Sequence, residues 1–307
     1  MRLAESQIIQ LIQRTFPGGK TLTDDCGALP VPSPGCKFLV TTDLMEQGQH
    51  FRLEWHPPAW LGRKLLVVNL SDLDASGAIP LGFTLTLALG PEVEAGWLEA
   101  FLAGLAGAAR EFGVPVIGGD TVGRPAGVGL GLTAFGSARR WLCRSGMQPG
   151  DRVFVDQPLG RSLKGLRKLQ AGQLWDSGHP DEDLIAHLNP SPNLGLGVKL
   201  ADIPEVHACM DVSDGLSKDL RMLAEASGCS VVLARHLEAD QISGGEDFAR
   251  CFSSSLSREA LESRLGLGLI EVGEAVARQD APLLIYDGAV LRPLSDQSFD
   301  HFERRAE

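Results

Sequence analysis

Aspartate recurs beside glycine, serine and threonine in six short segments, where its carboxylate could take part in phosphate chemistry. The segments are Thr23-Asp24-Asp25, Thr41-Thr42-Asp43, Asn69-Leu70-Ser71-Asp72, Gly118-Gly119-Asp120-Thr121, Asp211-Val212-Ser213-Asp214-Gly215 and Gly244-Gly245-Glu246-Asp247. Magnesium prefers oxygen ligands and usually joins a few carboxylates to the phosphates of a substrate. One such aspartate is common at turns and helix starts for structural reasons. The whole set, placed at turns and element ends that face one cleft, would suit metal-assisted phosphoryl transfer.

The segment that begins at Asp211 is the clearest local case. A strand is predicted at 206–210 and an amphipathic helix at 214–227. Ser213 or Asp214 is therefore expected to be the helix N-cap. A helix N-terminus is also suited to phosphate, and Asp211 could hold a metal ion beside it. Capping alone would explain the same residues, and the segment by itself does not decide between the two interpretations.

Other polar residues have both a functional and a structural interpretation. Asp72 and Asn69 share one face of a helix predicted at 58–77, with Lys64 two turns earlier. They could form a surface ion-pair region, although an amide that can donate and accept favours a cleft that binds metal and phosphate. His50 is isolated and has no spacing for a zinc site, so a structural role is the ordinary expectation.

Several function classes are disfavoured. The sequence has no G-x-x-x-x-G-K-[ST] motif and no G-x-G-x-x-G motif followed by a helix, which argues against P-loop and protein-kinase mechanisms. Its six cysteines include no C-x-x-C pair, so we expect reduced cysteines in the core and neither a zinc site nor a disulfide framework. Many of its 36 glycines lie beside aspartate, where the backbone could approach a ligand closely.

The composition is that of a globular protein of two ordinary domains, with 307 residues and a net charge of −11. The acidic balance disfavours nucleic acid as a partner. No apolar run reaches the ~20 residues that a membrane span requires. The first residues lack the basic and apolar regions of a secretory signal, so a cytoplasmic protein without a membrane partner is expected.

Hydrophobic periodicity predicts alternating helices and strands, which indicates an α/β or α+β fold. A turn at 145–151 opens a second unit. The predicted helices are 4–15, 58–77, 94–112, 162–171, 193–201 and 214–227, and the predicted strands are 37–43, 83–89, 114–117, 127–136, 152–155, 206–210, 229–233, 269–274 and 282–286.

Taken in order, these segments resemble the motifs of the thiamine-monophosphate kinase family from about residue 20 to 302. The resemblance is carried by Thr23-Asp24-Asp25-Cys26, Thr41-Thr42-Asp43 through Gly48-Gln49-His50-Phe51, Lys64 through Asn69-Leu70-Ser71-Asp72-Leu73, Gly118-Gly119-Asp120-Thr121, Arg144-Ser145-Gly146 with Pro149-Gly150-Asp151, Asn189-Pro190-Ser191-Pro192, Asp211-Val212-Ser213-Asp214-Gly215-Leu216, Ser243-Gly244-Gly245-Glu246-Asp247-Phe248 and Phe299-Asp300-His301-Phe302.

The resemblance implies an aminoimidazole ribonucleotide synthetase-like fold of two domains. Residues 1–142 would form an N-terminal domain that binds ATP and magnesium and pairs with its twin in a homodimer, making a shared barrel of strands. Residues 143–307 would form a C-terminal α/β domain that closes over the nucleotide. The implied reaction is direct, magnesium-assisted transfer from ATP to thiamine monophosphate, giving ADP and thiamine diphosphate.

The same resemblance implies roles for individual residues. Catalysis would involve Asp43, Asp72, Asp120 and Asp211. Magnesium ligands or their partners would be Asp25, Thr41, Thr42, Asp43, Asp72, Asp120, Asp211 and Asp214. Nucleotide contacts would be Gly119, Asp120, Arg144 and Ser213, and acceptor contacts would be His50 and Glu246, with Phe299 as a candidate aromatic wall.

The chain departs from the family pattern at some positions. Asp74 stands where a small residue usually follows the Ser71-Asp72-Leu73 segment, and no aromatic residue occurs in 295–298, just before Phe299. Two alternatives therefore stay open: a related ATP-dependent enzyme that acts on another small molecule, and a nucleotide-binding protein without activity.

Overall fold

The computed structural model describes residues 5–16, 29–30 and 32–295. The predicted site residues Asp25 and Phe299 lie outside the described residues, as does Cys26. The chain divides into two compact units, of which the first comprises residues 1–73 and 78–139 and the second residues 74–77 and 140–307. No helix among the described residues is both long enough and apolar enough to cross a membrane.

The first unit contains a four-stranded mixed sheet in the order β1-β4-β2-β3. Strand β4 pairs antiparallel with both β1 and β2, and β2 pairs parallel with β3. Its elements are α1 (Glu5–Thr15), β1 (Lys37–Glu46), α2 (Pro58–Ala75), β2 (Ile79–Leu89), α3 (Ala95–Glu111), β3 (Val116–Gly123) and β4 (Val128–Ala138). The last two residues of α2 belong to the second unit.

The two faces of this sheet differ, as the alternation of side chains along its strands requires. One face carries buried apolar residues such as Leu85 and Leu132. Helices α2 and α3 approach each other closely at Gly62 and Gly104, which have no side chains. A Cβ at either position would clash with the backbone of the facing helix. The other face leaves Val40 and Leu44 of β1 exposed.

The second unit is built on a seven-stranded mixed sheet in the order β11-β10-β7-β9-β5-β8-β6. Its strands are β5 (Arg152–Val155), β6 (Val206–Val212), β7 (Cys229–Leu233), β8 (Ala249–Ser254), β9 (Ile270–Ala277), β10 (Leu283–Asp287) and β11 (Val290–Pro293). Its helices are α4 (Arg161–Gln170), α5 (Glu182–Leu188), α6 (Leu196–Ala201), α7 (Leu216–Ser227), α8 (Ala239–Ser243) and α9 (Arg258–Leu265). One apolar cluster includes α7, and another includes Phe154 and Phe252, whose ring centroids lie 5.7 Å apart.

The mixed α/β architecture with two sheets agrees with the sequence prediction, and each predicted helix and strand has an observed counterpart. Periodicity missed α5, α8, β8, α9 and β11. Strand β8 was missed because every residue in it is buried, including Arg250, Ser253 and Ser254, so it lacks the expected alternation. The assignment of functions to residues 1–142 and 143–307 stays a prediction.

The predicted positions of two aspartates relative to their strands were wrong. Asp43 and Asp120 were expected at strand ends, but both lie inside strands. Strand β1 continues to Glu46 because β4 pairs with it along that whole length. Strand β3 continues to Gly123 because β2 pairs with it beyond Asp120.

A buried ion pair joins Asp74 and Arg250 within the second unit. The Arg250 side chain is completely buried, and its Nε donates to Asp74 Oδ2 over 2.6 Å. The Asp74 carboxylate also accepts the backbone N–H groups of Gly195 and Gly197, at the start of α6. An Arg250 guanidinium N–H donates to the carbonyl of Phe248 over 2.9 Å. The departure from the family pattern at Asp74 is therefore the acidic half of a buried pair.

We predict that breaking this pair costs more than removing it. Asp74→Asn removes the carboxylate that is bonded to the buried guanidinium of Arg250 and leaves it the charges of Asp211 and Asp156, so the free energy of unfolding should fall by about 3–5 kcal/mol. The double variant Asp74→Asn/Arg250→Met removes both charges and should lose less than Asp74→Asn alone. Urea unfolding followed by tryptophan fluorescence measures both values. Additive losses in the double variant would contradict a coupled buried pair.

Candidate functional site

In the first unit, one pair of predicted metal ligands is in direct contact. The hydroxyl of Thr41 donates to Asp72 Oδ2 over 2.6 Å, which joins β1 to α2. Asp43 follows Thr41 by two residues in the same strand, so both side chains lie on the same face of the sheet. The side chains of Thr41 and Asp43 on this face, together with Asp72 of α2, therefore offer oxygen atoms that could bind a metal ion.

Other predicted ligands lie on the opposite face of the same sheet. Thr42 alternates with its neighbours and contacts the hydroxyl of Thr133 at 3.0 Å. Across the sheet, Asp120 of β3 lies opposite Thr86 of β2, and Thr86 lies opposite Gly131 of β4. Gly131 in turn lies opposite Leu44 of β1, which is two residues after Thr42. Residues paired in this way share a face, so Asp120 is on the side of Thr42 and not that of Asp43. Asp120 is exposed, and its carboxylate accepts the N–H of Thr121 over 2.9 Å.

Gly119 is tightly placed, but the close neighbour is a strand of the sheet. A Cβ at this position would lie 2.1 Å from the carbonyl oxygen of Leu85 in β2. Pairing between β2 and β3 therefore already accounts for the absence of a side chain. The expectation that glycine beside Asp120 serves close approach of a ligand is not required by this geometry.

His50 is the last residue of a turn that follows β1. Its Nδ1 atom accepts the backbone N–H of Glu46 over 3.0 Å, so the neutral ring carries its proton on Nε2. The Nε2–H group is then the donor that His50 can offer. The ring is half-buried, in keeping with a group that can contact a ligand.

Lys64 and Asn69 do not form the surface ion-pair region that the sequence left open, because both side chains are fully buried in α2. The amide nitrogen of Asn69 donates to the carbonyl of Leu65 over 2.9 Å, a bond to the preceding helical turn. Asn69 therefore makes a side-chain bond within its own helix and is not a partner in a surface ion pair.

In the second unit, the predicted N-cap of α7 was wrong. The cap is Gly215, and neither Ser213 nor Asp214 caps the helix with its side chain. Instead, Oδ2 of Asp219 accepts the N–H groups of Ser213, Asp214 and Gly215 over 2.9–3.0 Å. Asp219 lies one turn inside the helix and folds back over its own N-terminus.

This arrangement changes the expected phosphate chemistry of the segment. The three backbone N–H groups that would suit a phosphate are already bonded to a carboxylate of the chain. A nucleotide contact from Ser213 would therefore use its hydroxyl. Asp214 forms an ion pair with Lys218 at 2.7 Å, and Asp211 is buried at the end of β6.

Burial, and to a smaller extent the negative charges of Asp211 and Asp214, raise the pKa of Asp219 to about 8. The three N–H bonds oppose this shift but do not overcome it. At neutral pH the Asp219 carboxyl group is therefore largely protonated, and it holds the loop mainly as a hydrogen-bond acceptor.

The 244–248 loop lies beside the 211–215 loop and is bonded to it. The N–H of Glu246 donates to the carbonyl of Ser213 over 2.7 Å, and the N–H of Phe248 donates to that of Val212 over 2.8 Å. Glu246 and Phe248 both have positive φ, which is uncommon for residues other than glycine. The second unit thus presents Asp214 and Glu246 on adjoining loops.

Asp247 fixes this loop to the N-terminus of α4. Its carboxylate accepts the N–H groups of Gly160 and Ser162, over 2.6 and 3.2 Å, at the start of α4. Burial raises the pKa of Asp247 to about 6. Periodicity gave no signal for this helix-capping role, although the aspartate itself was part of a recognised motif.

Arg144 precedes β5 and is exposed. Its guanidinium contacts the sulfur of Met222 in α7 at 3.7 Å, and its backbone carbonyl accepts the hydroxyl of Ser227 over 3.1 Å. An exposed guanidinium held by its backbone is suited to binding a phosphate or a ring.

No group of three or more histidine, cysteine, aspartate or glutamate side chains that could hold a metal ion occurs within residues 5–16, 29–30 and 32–295. Each unit supplies a small set of oxygen donors: Thr41, Asp43 and Asp72 in the first, and Asp211 and Asp214 in the second. Small carboxylate sets of this kind suit magnesium that completes its coordination with water and substrate phosphate.

Comparison with known proteins gives consistent results. Residues 23–138 match the family described as AIR synthase related protein, N-terminal domain. The chain is 37% identical over 300 residues to the thiamine-monophosphate kinase of Escherichia coli K12, covering 91% of this chain and 90% of that protein.

Two solved structures are similar along almost their whole length. Thiamine-monophosphate kinase from Stenotrophomonas maltophilia K279a is 30% identical, with a TM-score of 0.75, over 94% of this chain and 99% of that one. AaThiL complexed with AMPPCP and TMP is 26% identical, with a TM-score of 0.77, over 98% of this chain and 99% of that one.

We predict that the protonation of Asp219 makes stability depend on pH. An unfolded aspartate titrates near 3.8, whereas the folded carboxyl titrates near 8, so folding takes up a proton between these values. The free energy of unfolding of the wild type should therefore fall as pH rises from 6 to 8, by at most about 1.4 kcal/mol per pH unit from this group.

Asp219→Asn keeps an oxygen that can accept the N–H bonds but cannot titrate, so its stability should depend less on pH across that window. Urea unfolding in EDTA at several pH values measures the slopes, with the exposed Asp280→Asn as the control. Equal slopes in wild type and Asp219→Asn would show that the carboxyl is already ionised at pH 6.

Proposed function

Because the chain belongs to the thiamine-monophosphate kinase family, we propose that it transfers the γ-phosphoryl group of ATP to thiamine monophosphate, giving ADP and thiamine diphosphate. The observation that carries the proposal is the 37% identity to the Escherichia coli enzyme across about nine-tenths of both chains. The complex of AaThiL with AMPPCP and TMP supports both substrates, because AMPPCP is an ATP analogue.

Direct transfer requires alignment of the two phosphates and neutralisation of charge more than it requires a covalent intermediate. The attacking oxygen belongs to the phosphate of the acceptor, which is already anionic near neutral pH. A side chain that removes a proton is therefore unnecessary. This explains why the site needs many carboxylates and no dedicated base.

The carboxylates and hydroxyls of the predicted set fit magnesium. Asp43, Asp72 and Thr41 would hold it in the first unit, and Asp211 and Asp214 in the second, with Thr42, Asp120 and Asp25 as further members of the set. Magnesium would neutralise phosphate charge and orient the transferred group. Thr41 would orient the carboxylate of Asp72, to which it donates a hydrogen bond of 2.6 Å.

The remaining predicted residues would bind the organic parts of the two substrates. Gly119, Asp120, Arg144 and Ser213 would contact the nucleotide, and His50 and Glu246 would contact the acceptor. The role of Phe299 stays a prediction. A cytoplasmic location also stays a prediction.

We further propose a homodimer that forms through the open face of the first sheet. The exposed apolar residues on this face of β1 are Phe38, Val40 and Leu44, and Phe38 stacks on Phe135 of β4 with ring centroids 5.9 Å apart. Val122 of β3 is also exposed. Contiguous apolar side chains of this kind usually mark an interaction surface.

We predict that thiamine monophosphate is phosphorylated and that free thiamine is not. An alcohol would have to lose a proton during transfer, whereas a phosphate monoester oxygen is anionic and can also bind magnesium. Steady-state kinetics with both compounds, measuring thiamine diphosphate directly, tests this. Comparable turnover of free thiamine would contradict the mechanism, and no turnover of either would contradict the acceptor.

We predict that Asp43→Asn and Asp120→Asn each lower turnover by orders of magnitude in a folded protein, since an amide keeps the shape but is a weaker metal ligand. The matched control is Asp202→Asn, the same change at an exposed aspartate outside the predicted set. Turnover measured against magnesium concentration should show a higher requirement in the two site variants. Near-normal turnover in either would remove that residue from the site.

A further inference from the structure

His187 is a buried residue that no part of the proposed mechanism uses. It lies near the end of α5, which packs closely against α4 because Gly165 has no side chain. A Cβ at Gly165 would lie 2.1 Å from the carbonyl oxygen of Asp183 and 3.0 Å from the Cβ of His187. This close approach brings the imidazole of His187 beside Ser162 of α4.

The same imidazole reaches the 244–248 loop. Its Nδ1 atom lies 3.1 Å from Glu246 Oε2 and 3.0 Å from the hydroxyl oxygen of Ser162. An unprotonated ring nitrogen would repel a carboxylate at this distance, so we assign a proton to Nδ1, with Glu246 Oε2 and Ser162 Oγ both at acceptor distance. The ring is 4% exposed, so water does not compete freely for this bond.

Glu246 is held at both ends. Its backbone is in the left-handed region, with φ of 60°, and its N–H bonds to the carbonyl of Ser213. His187 holds the carboxylate at the other end. The Glu246 side chain is nevertheless 31% exposed, so part of it is open to solvent and to a ligand.

We propose that His187 is a positioning residue: its Nδ1–H fixes the Glu246 carboxylate in the orientation that binds the acceptor, and so sets the affinity for thiamine monophosphate. This inference rests on the proposed function of Glu246 as an acceptor contact. A flexible glutamate would lose rotational freedom on binding, whereas one fixed in advance does not. The effect should therefore fall on the acceptor and not on ATP.

Two amide variants separate the roles of the ring nitrogens. The amide nitrogen of His187→Asn can occupy the position of Nδ1, whereas that of His187→Gln corresponds to Nε2 and cannot. We expect His187→Gln to raise KM for thiamine monophosphate about tenfold, with KM for ATP within about twofold of wild type. His187→Asn should recover most of the loss. Unchanged acceptor KM in folded His187→Gln, or equal effects on both substrates, overturns the proposal.

The matched control is His207→Gln, which makes the same change at another histidine whose Nδ1 bonds a carboxylate, that of Asp151 at 2.8 Å, in the same unit. It should leave the acceptor KM unchanged even if it lowers the melting temperature. A rise in acceptor KM equal to that of His187→Gln would reduce the effect to general destabilisation.

A spectroscopic measurement is independent of turnover and so separates this inference from the proposed function. Long-range ¹H–¹⁵N correlation spectra of the wild type at neutral pH should show a protonated Nδ1 in His187, and its proton should shift in Glu246→Gln. An unprotonated Nδ1 overturns the proposal whatever the acceptor is. If the wild type does not phosphorylate thiamine monophosphate but Nδ1 is protonated, the positioning contact stands and the acceptor assignment fails.

Discussion

The second unit depends on buried aspartates that accept backbone N–H groups. A buried N–H without a partner costs about 1–3 kcal/mol, so a loop that turns sharply inside a protein needs an acceptor. Three carboxylates act as such acceptors. Asp219 folds back over its own helix and accepts the N–H groups of residues 213–215. Asp247 and Asp74 lie far in sequence from their partners: Asp247 accepts from Gly160 and Ser162, and Asp74 from Gly195 and Gly197. The two loops that carry the predicted site are thereby fixed to helices.

Burying these carboxyl groups has an electrostatic consequence. Loss of hydration raises the pKa of Asp219 and Asp247 more than their hydrogen bonds lower it. It also raises the pKa of Asp156, another buried aspartate, which accepts the backbone N–H of Arg250. The guanidinium of Arg250 supplies a positive charge in this buried region: it bonds the carboxylate of Asp74 and also lowers the pKa of Asp156. The aspartates therefore serve two purposes: some are buried and accept backbone N–H groups, and others, such as Asp214, keep access to solvent.

This division explains how much the sequence could reveal. Alternation and helical periodicity located most elements, because burial on one face leaves a periodic trace, as in β4. These patterns did not reveal β8, where the buried Arg250 has its charge balanced by Asp74, a residue 176 positions away in sequence. The six acidic segments were recognisable as a set, but which carboxylate holds a loop and which faces solvent depends on tertiary contacts. Asp219 shows this most clearly, since it displaced the predicted cap at Ser213 or Asp214.

The backbone of the 244–248 loop shows how such contacts are used. A residue other than glycine in the left-handed region costs about 1 kcal/mol or more, and Glu246 and Phe248 both adopt it. Glycine at these positions would remove the strain but also the Glu246 carboxylate and the buried Phe248 ring. The bonds from their N–H groups to Ser213 and Val212, and the anchoring of Asp247 between them, offset that strain. The loop can therefore present a glutamate from a strained backbone without becoming flexible, as the proposed acceptor contact of Glu246 requires.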